Sequence, residues 1–257
     1  MTTRVWDRAA ALAAQTGARS PHVAALATDQ PSVAELFTFM RDAELRFRTL
    51  KMRIEERTYG ARERLLVMDI SLRHPGHARV VTSEPSKGAV APGEIWLSDG
   101  ETIRTFATAH RLATKRPVRN RPRGLDSKDF PGSAKVYEPE TPLPMETLAE
   151  LFIHPAGYCQ NVLATGDCWI SGTDSIAGRT AIVVECAHPR AVEVSVDRPD
   201  YHIQIAVDRD TGVITRLAES VRGELTRLAT VIVLDPDAPL QPTTFDLELP
   251  EGTTVLY

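Results

Sequence analysis

Residues 202–220, HIQIAVDRDTGVITRLAES, decide the fold class of this 257-residue chain. Residues 203–207 and 213–217 alternate in character on either side of the break DTG at 210–212. Successive side chains of a strand point to opposite faces of a sheet, and Asp-x-Gly tolerates the positive φ angle of a tight turn. The stretch therefore predicts a β-hairpin.

The same alternation recurs along most of the chain and predicts a large sheet. Up to the short strand predicted near Leu112, every link between strands has the length of a hairpin loop. Short links favour a meander of antiparallel strands over βαβ crossovers. The other predicted strands are 50–59, 64–72, 77–84, a hairpin at 93–108 that turns at Asp99-Gly100, and 160–166, 167–173, 179–188, 191–198 and 226–234.

One long stretch, residues 32–48, has the period of an amphipathic helix. Ser32 suits the N-cap position, with Glu35 three positions on as its capping partner. Glu44 interrupts the flank of the apolar stripe, and Phe39 falls outside it. The stripe itself comprises Val33, Leu36, Phe37, Met40, Ala43 and Phe47.

Together these patterns predict an α+β protein that is mainly β: a single curved antiparallel sheet with helices covering its concave face. The second helix is predicted at 145–152. Residues 115–144 are rich in Pro, Arg and acidic residues and predict a long surface loop. Residues 1–31 are predicted to form an N-terminal extension with a short helix at 5–15, and residues 32–257 are predicted to form one domain.

Bulk composition is that of a soluble globular protein, with 42% hydrophobic and 25% charged residues. A net charge of −4 does not favour a general nucleic-acid binder, which needs positive charge to displace counterions. No apolar run is long enough to span a bilayer. The three cysteines match no zinc spacing, and a hairpin turning near 175–178 would bring Cys168 and Cys186 close together.

Residues 110–128 reverse the charge of the chain locally, with seven basic residues against Asp126, a balance of +6. Such a segment could bind anionic lipid headgroups or an acidic partner, and the alternative is a solvated loop. No aromatic residue lies between Phe106 and Phe130, which weakens the case for stacking on single-stranded nucleic acid. The candidate headgroup or partner contacts are Arg116, Arg119, Arg121 and Arg123.

The order of parts resembles the LolA/RseB-like family, whose members are bacterial lipoprotein carriers and envelope-stress sensors. The resemblance covers about residues 33–256 and rests on GTDSIAGRTAIVV at 172–184, VDRDTGVITRL at 207–217 and FDLELPEG at 245–252. It implies an incomplete β-barrel, a half-barrel, whose mouth and hollow are covered by helices, with LPEG at the end of the last strand. These motifs are structural, so no functional residue of the family transfers to this chain.

Apolar side chains on the first helix and the first strands are candidates to line a lipid-sized hollow. Ordinary core packing is the alternative for each of them. Methionine adapts to ligands of varied shape, which draws attention to the three methionines in the set. The candidates are Phe37, Met40, Phe47, Met52, Met68, Trp96 and Phe106.

Motifs for catalysis are missing from the sequence: it has no nucleophile elbow, no His-Glu-x-x-His, no P-loop and no dinucleotide fingerprint. Glu185, Cys186 and His188 are neighbours, but three titratable groups at a strand end do not make a site. His74 and His77 are expected to be surface residues of a hairpin turn. We therefore expect no enzyme, no metal site and no cofactor.

The resulting hypothesis is a non-enzymatic binding protein that holds a lipid, an acyl chain or a lipoprotein-like ligand in the hollow of the half-barrel. The alternative is a regulatory module in the manner of RseB, which binds another protein through its surface and basic loop. The chain as written shows no signal peptide and no early lipid-bearing Cys, which predicts a cytoplasmic location. Removal of a leader would instead place it outside the cytoplasm, as in most of the family.

Overall fold

The computed structural model describes residues 25–26, 30–60, 62–85, 92–118, 139–189 and 200–257. The helix predicted at 5–15 and the strand predicted at 191–198 lie outside these residues, as does most of the predicted loop.

Twelve strands in the described part of the chain form one open sheet, which confirms the predicted mainly β fold class. They are β1 Thr49–Thr58, β2 Arg64–Arg73, β3 His77–Ser83, β4 Pro92–Asp99, β5 Thr102–Ala107, β6 Leu112–Pro117, β7 Asp167–Ile176, β8 Arg179–Ala187, β9 Tyr201–Asp208, β10 Ile214–Val221, β11 Glu224–Pro236 and β12 Thr254–Leu256. Their order is β12-β6-β5-β4-β3-β2-β1-β11-β10-β9-β8-β7, so β12 and β7 form the two edges. Every neighbouring pair is antiparallel except β12 and β6, which are parallel.

Strand β1 shows why these sequences form a sheet with one buried side. Leu50, Met52 and Ile54 are buried, while Lys51 and Arg53 between them are exposed. Directly opposite residues on paired antiparallel strands share a face, so the register carries this buried side from strand to strand. We call it the inner face, and the opposite side the outer face.

Three short helices among the described residues pack on the inner face: α1 Val33–Arg41, α2 Leu148–Ile153 and α3 Ala156–Asn161. The capping box of α1 is present, because the Ser32 hydroxyl accepts a bond from the Glu35 amide and the Glu35 carboxylate accepts one from the Ser32 amide. Within the described ranges, no helix combines the length and apolar character needed to cross a membrane.

The helix predicted over 32–48 is wrong in its second half. Helix α1 ends at Arg41, and after the non-helical Asp42 a 3-10 turn runs over Ala43–Arg46. Phe39, which falls outside the predicted stripe, is 4% exposed. It is buried because the turn between β9 and β10 covers a second side of α1, beside the side that packs on the sheet.

The strand predicted at 160–166 is also wrong. Helix α3 occupies the start of this stretch, and a 3-10 turn follows at Leu163–Thr165. A short apolar run fits a buried strand and a buried helix equally well, so alternation alone cannot decide between them. Pro155, which immediately precedes α3, suits the beginning of a helix.

The C-terminal segment differs from the predicted final strand. After a 3-10 turn at Pro242–Phe245, residues 246–250 form no regular element, and the motif LPEG precedes β12 instead of ending it. Arg79 holds the segment by donating to the carbonyls of Thr244 and Asp246, at 3.2 and 2.9 Å. The segment thereby covers part of the outer face.

Candidate functional site

Five of the seven candidate cavity residues lie in one apolar cluster between the inner face and the helices. Their exposed fractions run from 0% for Met40 to 8% for Met68, so helices and sheet pack closely around them. Phe37 is partly buried against the same cluster. The five are Met40, Phe47, Met52, Met68 and Trp96.

Phe106 lies elsewhere. It is opposite Ile95 and Ala113 on the neighbouring strands, and these three residues form a separate cluster on the outer face. Val255 and Leu247 of the C-terminal segment pack against that cluster. Phe106 therefore does not face the hollow.

Helix α1 is seated partly by the hairpin turn of residues 209–212. The Arg46 guanidinium lies 3.7 Å from the centre of the Phe39 ring and donates to the carbonyls of Phe39 and Thr211. Gly212 has a φ of +81°, and a Cβ there would lie 3.1 Å from the Phe39 ring. The turn between β9 and β10 thus supports α1. We call the three helices α1, α2 and α3, which lie over the inner face, the helical cover.

Sulfur atoms join the helices to one another and to the sheet. The Cys159 thiol of α3 lies 3.8 Å from the Met40 sulfur of α1. Cys168 and Cys186 are directly opposite each other on β7 and β8, and both thiols donate to the Leu163 carbonyl. All three cysteines are free.

A cluster of polar side chains connects the helical cover to the turn between β2 and β3. His154, at the end of α2, places its Nε2 atom 3.0 Å from a Glu44 carboxylate oxygen, and the Glu140 amide donates to the same carboxylate. The Thr141 hydroxyl lies 2.8 Å from His74 Nδ1. We call these five residues the Glu44 cluster. It joins the 3-10 turn after α1, the β2–β3 turn, the segment that precedes α2 and the residue that ends α2.

Burial and neighbouring charges shift the pKa values of three residues in this cluster. Burial acts to raise the pKa of Glu44, but His154 and the other neighbours outweigh it and hold that pKa below its usual value. Burial lowers the pKa of His74 to about 4. Burial, followed by the charge of Glu44, raises the pKa of Glu140 to about 7. The cluster thus combines an ionised Glu44 with a Glu140 that changes charge near neutral pH.

Near Glu56, toward the C-terminal end of β1, the inner face becomes polar. Arg227 on β11 lies between two carboxylates, 2.7 Å from Glu56 on β1 and 3.4 Å from Glu219 on β10. Tyr158 on α3 lies close enough to this group for the charges of Glu219 and Arg227 to act on its hydroxyl, and that hydroxyl is covered and has no hydrogen-bond partner among the described residues. Burial, followed by the charge of Glu219, raises the pKa of Tyr158 well above its ordinary value.

Of the four candidate headgroup residues, the described part of the chain contains Arg116. It is opposite Ile103, a residue of the inner cluster, and it is exposed. Arg119, Arg121 and Arg123 lie outside the described residues. Whether these four arginines bind a headgroup or a partner stays a prediction.

The groups considered for catalysis do not converge. Glu185 contacts His202 and Gln204, at 2.7 and 2.8 Å, on the outer face, whereas the adjacent Cys186 is buried on the inner face. The expectation of a surface position is wrong for His74, whose side chain is 7% exposed because Phe47 and Thr141 pack against it. Within the described ranges, no cluster of three or more His, Cys, Asp or Glu side chains is arranged to hold a metal ion.

Sequence reasoning missed both polar groups of the inner face. For Glu56, Glu219 and Arg227 a signal exists, since each continues the buried alternation of its strand and is charged where an apolar residue is expected. Glu44 was visible as an interruption of the apolar stripe. Nothing in the sequence connects it to Glu140 or His154, because only the fold brings these segments together.

Comparison with solved structures finds similar architectures at low identity. The chain is similar to MucB in the MucA/MucB complex of Pseudomonas aeruginosa, at 15% identity and a TM-score of 0.47, covering 84% of this chain and 60% of that one. A LolA superfamily protein from Nitrosomonas europaea matches at 11% identity and 0.32, covering 84% and 98%. LprF from Mycobacterium bovis matches at 10% and 0.38, covering 87% and 99%.

The open curved sheet with helices packed on one face agrees with the incomplete barrel that the resemblance to the LolA/RseB-like family implies. With TM-scores below 0.5, these similarities carry no argument about a ligand or partner. The chain spans 59% to 62% of the length of the MucB chains that it matches. No protein-family model matches the sequence. No curated protein matches it either.

Proposed function

We propose that this is a non-enzymatic binding protein that holds an acyl chain between the inner face of its sheet and its helical cover. The observation that carries the proposal is the nature of the cover. In the described part of the chain, a twelve-stranded sheet presents an inner face that is mostly apolar, and three helices of nine, six and six residues cover it. Such short helices have little stability of their own and depend on packing, so they can separate from the wall while the sheet stays intact.

The energetics set the size of the ligand. Helix α1 buries Leu36, Phe39 and Met40. At about 2 kcal/mol for each fully buried side chain, lifting α1 costs about 6 kcal/mol. Each methylene of a ligand returns about 0.8 kcal/mol on burial, so a chain of about eight carbons breaks even. Binding should therefore begin above this length and strengthen with each added carbon until the wall is covered.

Charge placed on the edge of the cover tests the proposal. Phe37 is partly buried against the inner cluster, whereas Thr38 on the same helix is exposed. Phe37→Asp should weaken binding of monomyristoylglycerol about tenfold or more, and Thr38→Asp, which adds the same charge, should change it little. Displacement of N-phenylnaphthylamine fluorescence provides the measurement, with monohexanoylglycerol as the short-chain comparison. Equal binding by both variants, or no binding of the 14-carbon chain by the wild type, would refute the proposal.

The second candidate is a regulatory module that binds another protein with its hollow packed shut. The close packing of Met40 and Met52, at 0% and 2% exposure, favours it. The basic segment, including the exposed Arg116, would supply the contact surface for an acidic partner. Neutralising Arg116, Arg119, Arg121 and Arg123 together should then abolish capture of one stoichiometric partner while leaving monomyristoylglycerol binding unchanged.

A further inference from the structure

The polar group at the far end of β1 has no evident structural purpose. The register places Arg227 opposite both Thr58 and Glu219, on the face that buries Ile54 and Leu217 elsewhere. The side chains of Glu56, Glu219 and Arg227 are 13%, 19% and 31% exposed, so they are shielded but reachable. Charges placed on an apolar wall lose hydration, and a surface position would be less costly for a purely structural pair.

The Tyr158 hydroxyl is a second and independent sign of a ligand site. It is covered, it belongs to a side chain packed against the inner cluster, and it has no hydrogen-bond partner. A buried hydroxyl without a partner destabilises a protein by about 1 to 3 kcal/mol. Unsatisfied groups of this kind are uncommon in folded proteins and call for an explanation. A bound polar group would supply the missing bond.

The charges define the chemistry of that group. Two carboxylates and one guanidinium give the site one net negative charge, so an anionic head is repelled. Each carboxylate has more lone pairs than its contact with Arg227 uses, so both can accept further hydrogen bonds. A head group that donates hydrogen bonds therefore fits, and a primary ammonium fits best because it also neutralises the charge.

We propose that Tyr158, Glu56, Glu219 and Arg227 form a polar subsite that binds the ammonium or hydroxyl head of a single-chain amphiphile. This rests on the proposed function, since the acyl chain would lie along the inner face beyond Ile54. The site does not suit a carboxylate or phosphate head. Positive charge lies elsewhere on the inner face. The row of directly opposite residues that starts at Leu50 on β1 crosses β2, β3, β4 and β5 and ends on β6 at the exposed Arg116.

The experiment compares three 14-carbon ligands below their critical micelle concentrations at pH 7: tetradecylamine, monomyristoylglycerol and myristate. Calorimetric titration should give the tightest binding for the amine, by about tenfold over myristate, because a charge-assisted bond replaces a repulsion. Glu219→Gln and Tyr158→Phe should each remove most of that preference. Glu55→Gln is the matched control, because Glu55 neighbours Glu56 on β1 but points to the outer face.

The outcomes separate the two proposals. If none of the three ligands binds, the proposed function fails and the subsite fails with it. If all three bind with equal affinity, or if the preference survives Tyr158→Phe and Glu219→Gln, the acyl-chain function stands and the subsite is refuted. Urea unfolding of each variant identifies a loss of fold, and Tyr158→Phe, which only removes an unpartnered hydroxyl, should be at least as stable as the wild type.

Discussion

Replacing Glu140 with glutamine should stabilise the protein at pH 8 and leave its stability at pH 4 nearly unchanged. Burial and the charge of Glu44 raise the pKa of Glu140 to about 7, from an ordinary value of 4.5. A carboxyl with a raised pKa supports the folded state while it is protonated. Its contribution is complete below pH 4.5 and is lost as the pH rises through 7. Glutamine stays neutral throughout and therefore avoids this loss.

The size of the effect follows from the two pKa values. They correspond to at most about 3 kcal/mol of unfolding free energy. The Glu140 side chain is 24% exposed, and solvent screening reduces the effect. We therefore expect Glu140→Gln to gain about 1 to 2 kcal/mol at pH 8. The rest of the Glu44 cluster is common to both proteins, so the titration of His74 and Glu44 cancels from the difference to first order.

Urea unfolding of both proteins at pH 4, 6 and 8 measures this difference directly. Glu248→Gln, which neutralises an exposed carboxylate on the C-terminal segment, is the control and should show no comparable change with pH. A stability difference between Glu140→Gln and the wild type that is the same at pH 4 and pH 8 would refute the assigned burial of Glu140. A variant less stable than the wild type at pH 8 would show that ionised Glu140 stabilises the folded protein, which is the opposite of the prediction.

Three further predictions concern the support of the cover. Gly212→Ala should destabilise by about 1 to 3 kcal/mol in urea unfolding, and more than Gly223→Ala, because both have positive φ but only Gly212 faces a neighbour within 4 Å. Buried Asp208 lies 2.7 Å from Arg179 and accepts bonds from the amide and hydroxyl of Thr211 in the β9–β10 turn, so Asp208→Asn should destabilise by about 1 to 3 kcal/mol even though Asp210 still pairs with Arg179, and an unchanged stability would show that this turn does not depend on the charge of Asp208. Arg46→Met should speed amide hydrogen exchange in α1 by removing two bonds to carbonyls, and unchanged exchange would show that α1 does not depend on them.

The sheet could be predicted from the sequence because each strand carries its own signal. Alternation in β1, β2 and the β9–β10 hairpin reports burial on one face, and local turn residues fix the links. The Ser32 capping box is likewise a local pattern, and it forms as expected. The register that places Cys168 opposite Cys186 follows from one hairpin turn.

The features that could not be predicted depend on contacts between distant segments. Phe39 is buried because the turn at Gly212 meets α1, and no period within the helix can reveal this. His74 is buried because the segment around Thr141 folds over its turn. Tyr158 lies just before the stretch 160–166 that was predicted as a strand, so neither helix α3 nor the approach of Tyr158 to Glu219 and Arg227 could be anticipated.

The open edge at β7 also bears on how copies of this protein behave in concentrated solution. Among the described residues, β7 pairs with β8 on one side only, and the other side of this ten-residue strand offers backbone donors and acceptors to a strand of another molecule. Asp167 is exposed at the start of this strand, and the register of β7 shifts between Ile170 and Gly172, whereas the charge of Asp174 is paired with Arg216. A second copy would therefore meet the charge of Asp167 and a strand that is irregular in its middle. Both features should oppose fibre-like aggregation, and Asp167→Asn should increase it.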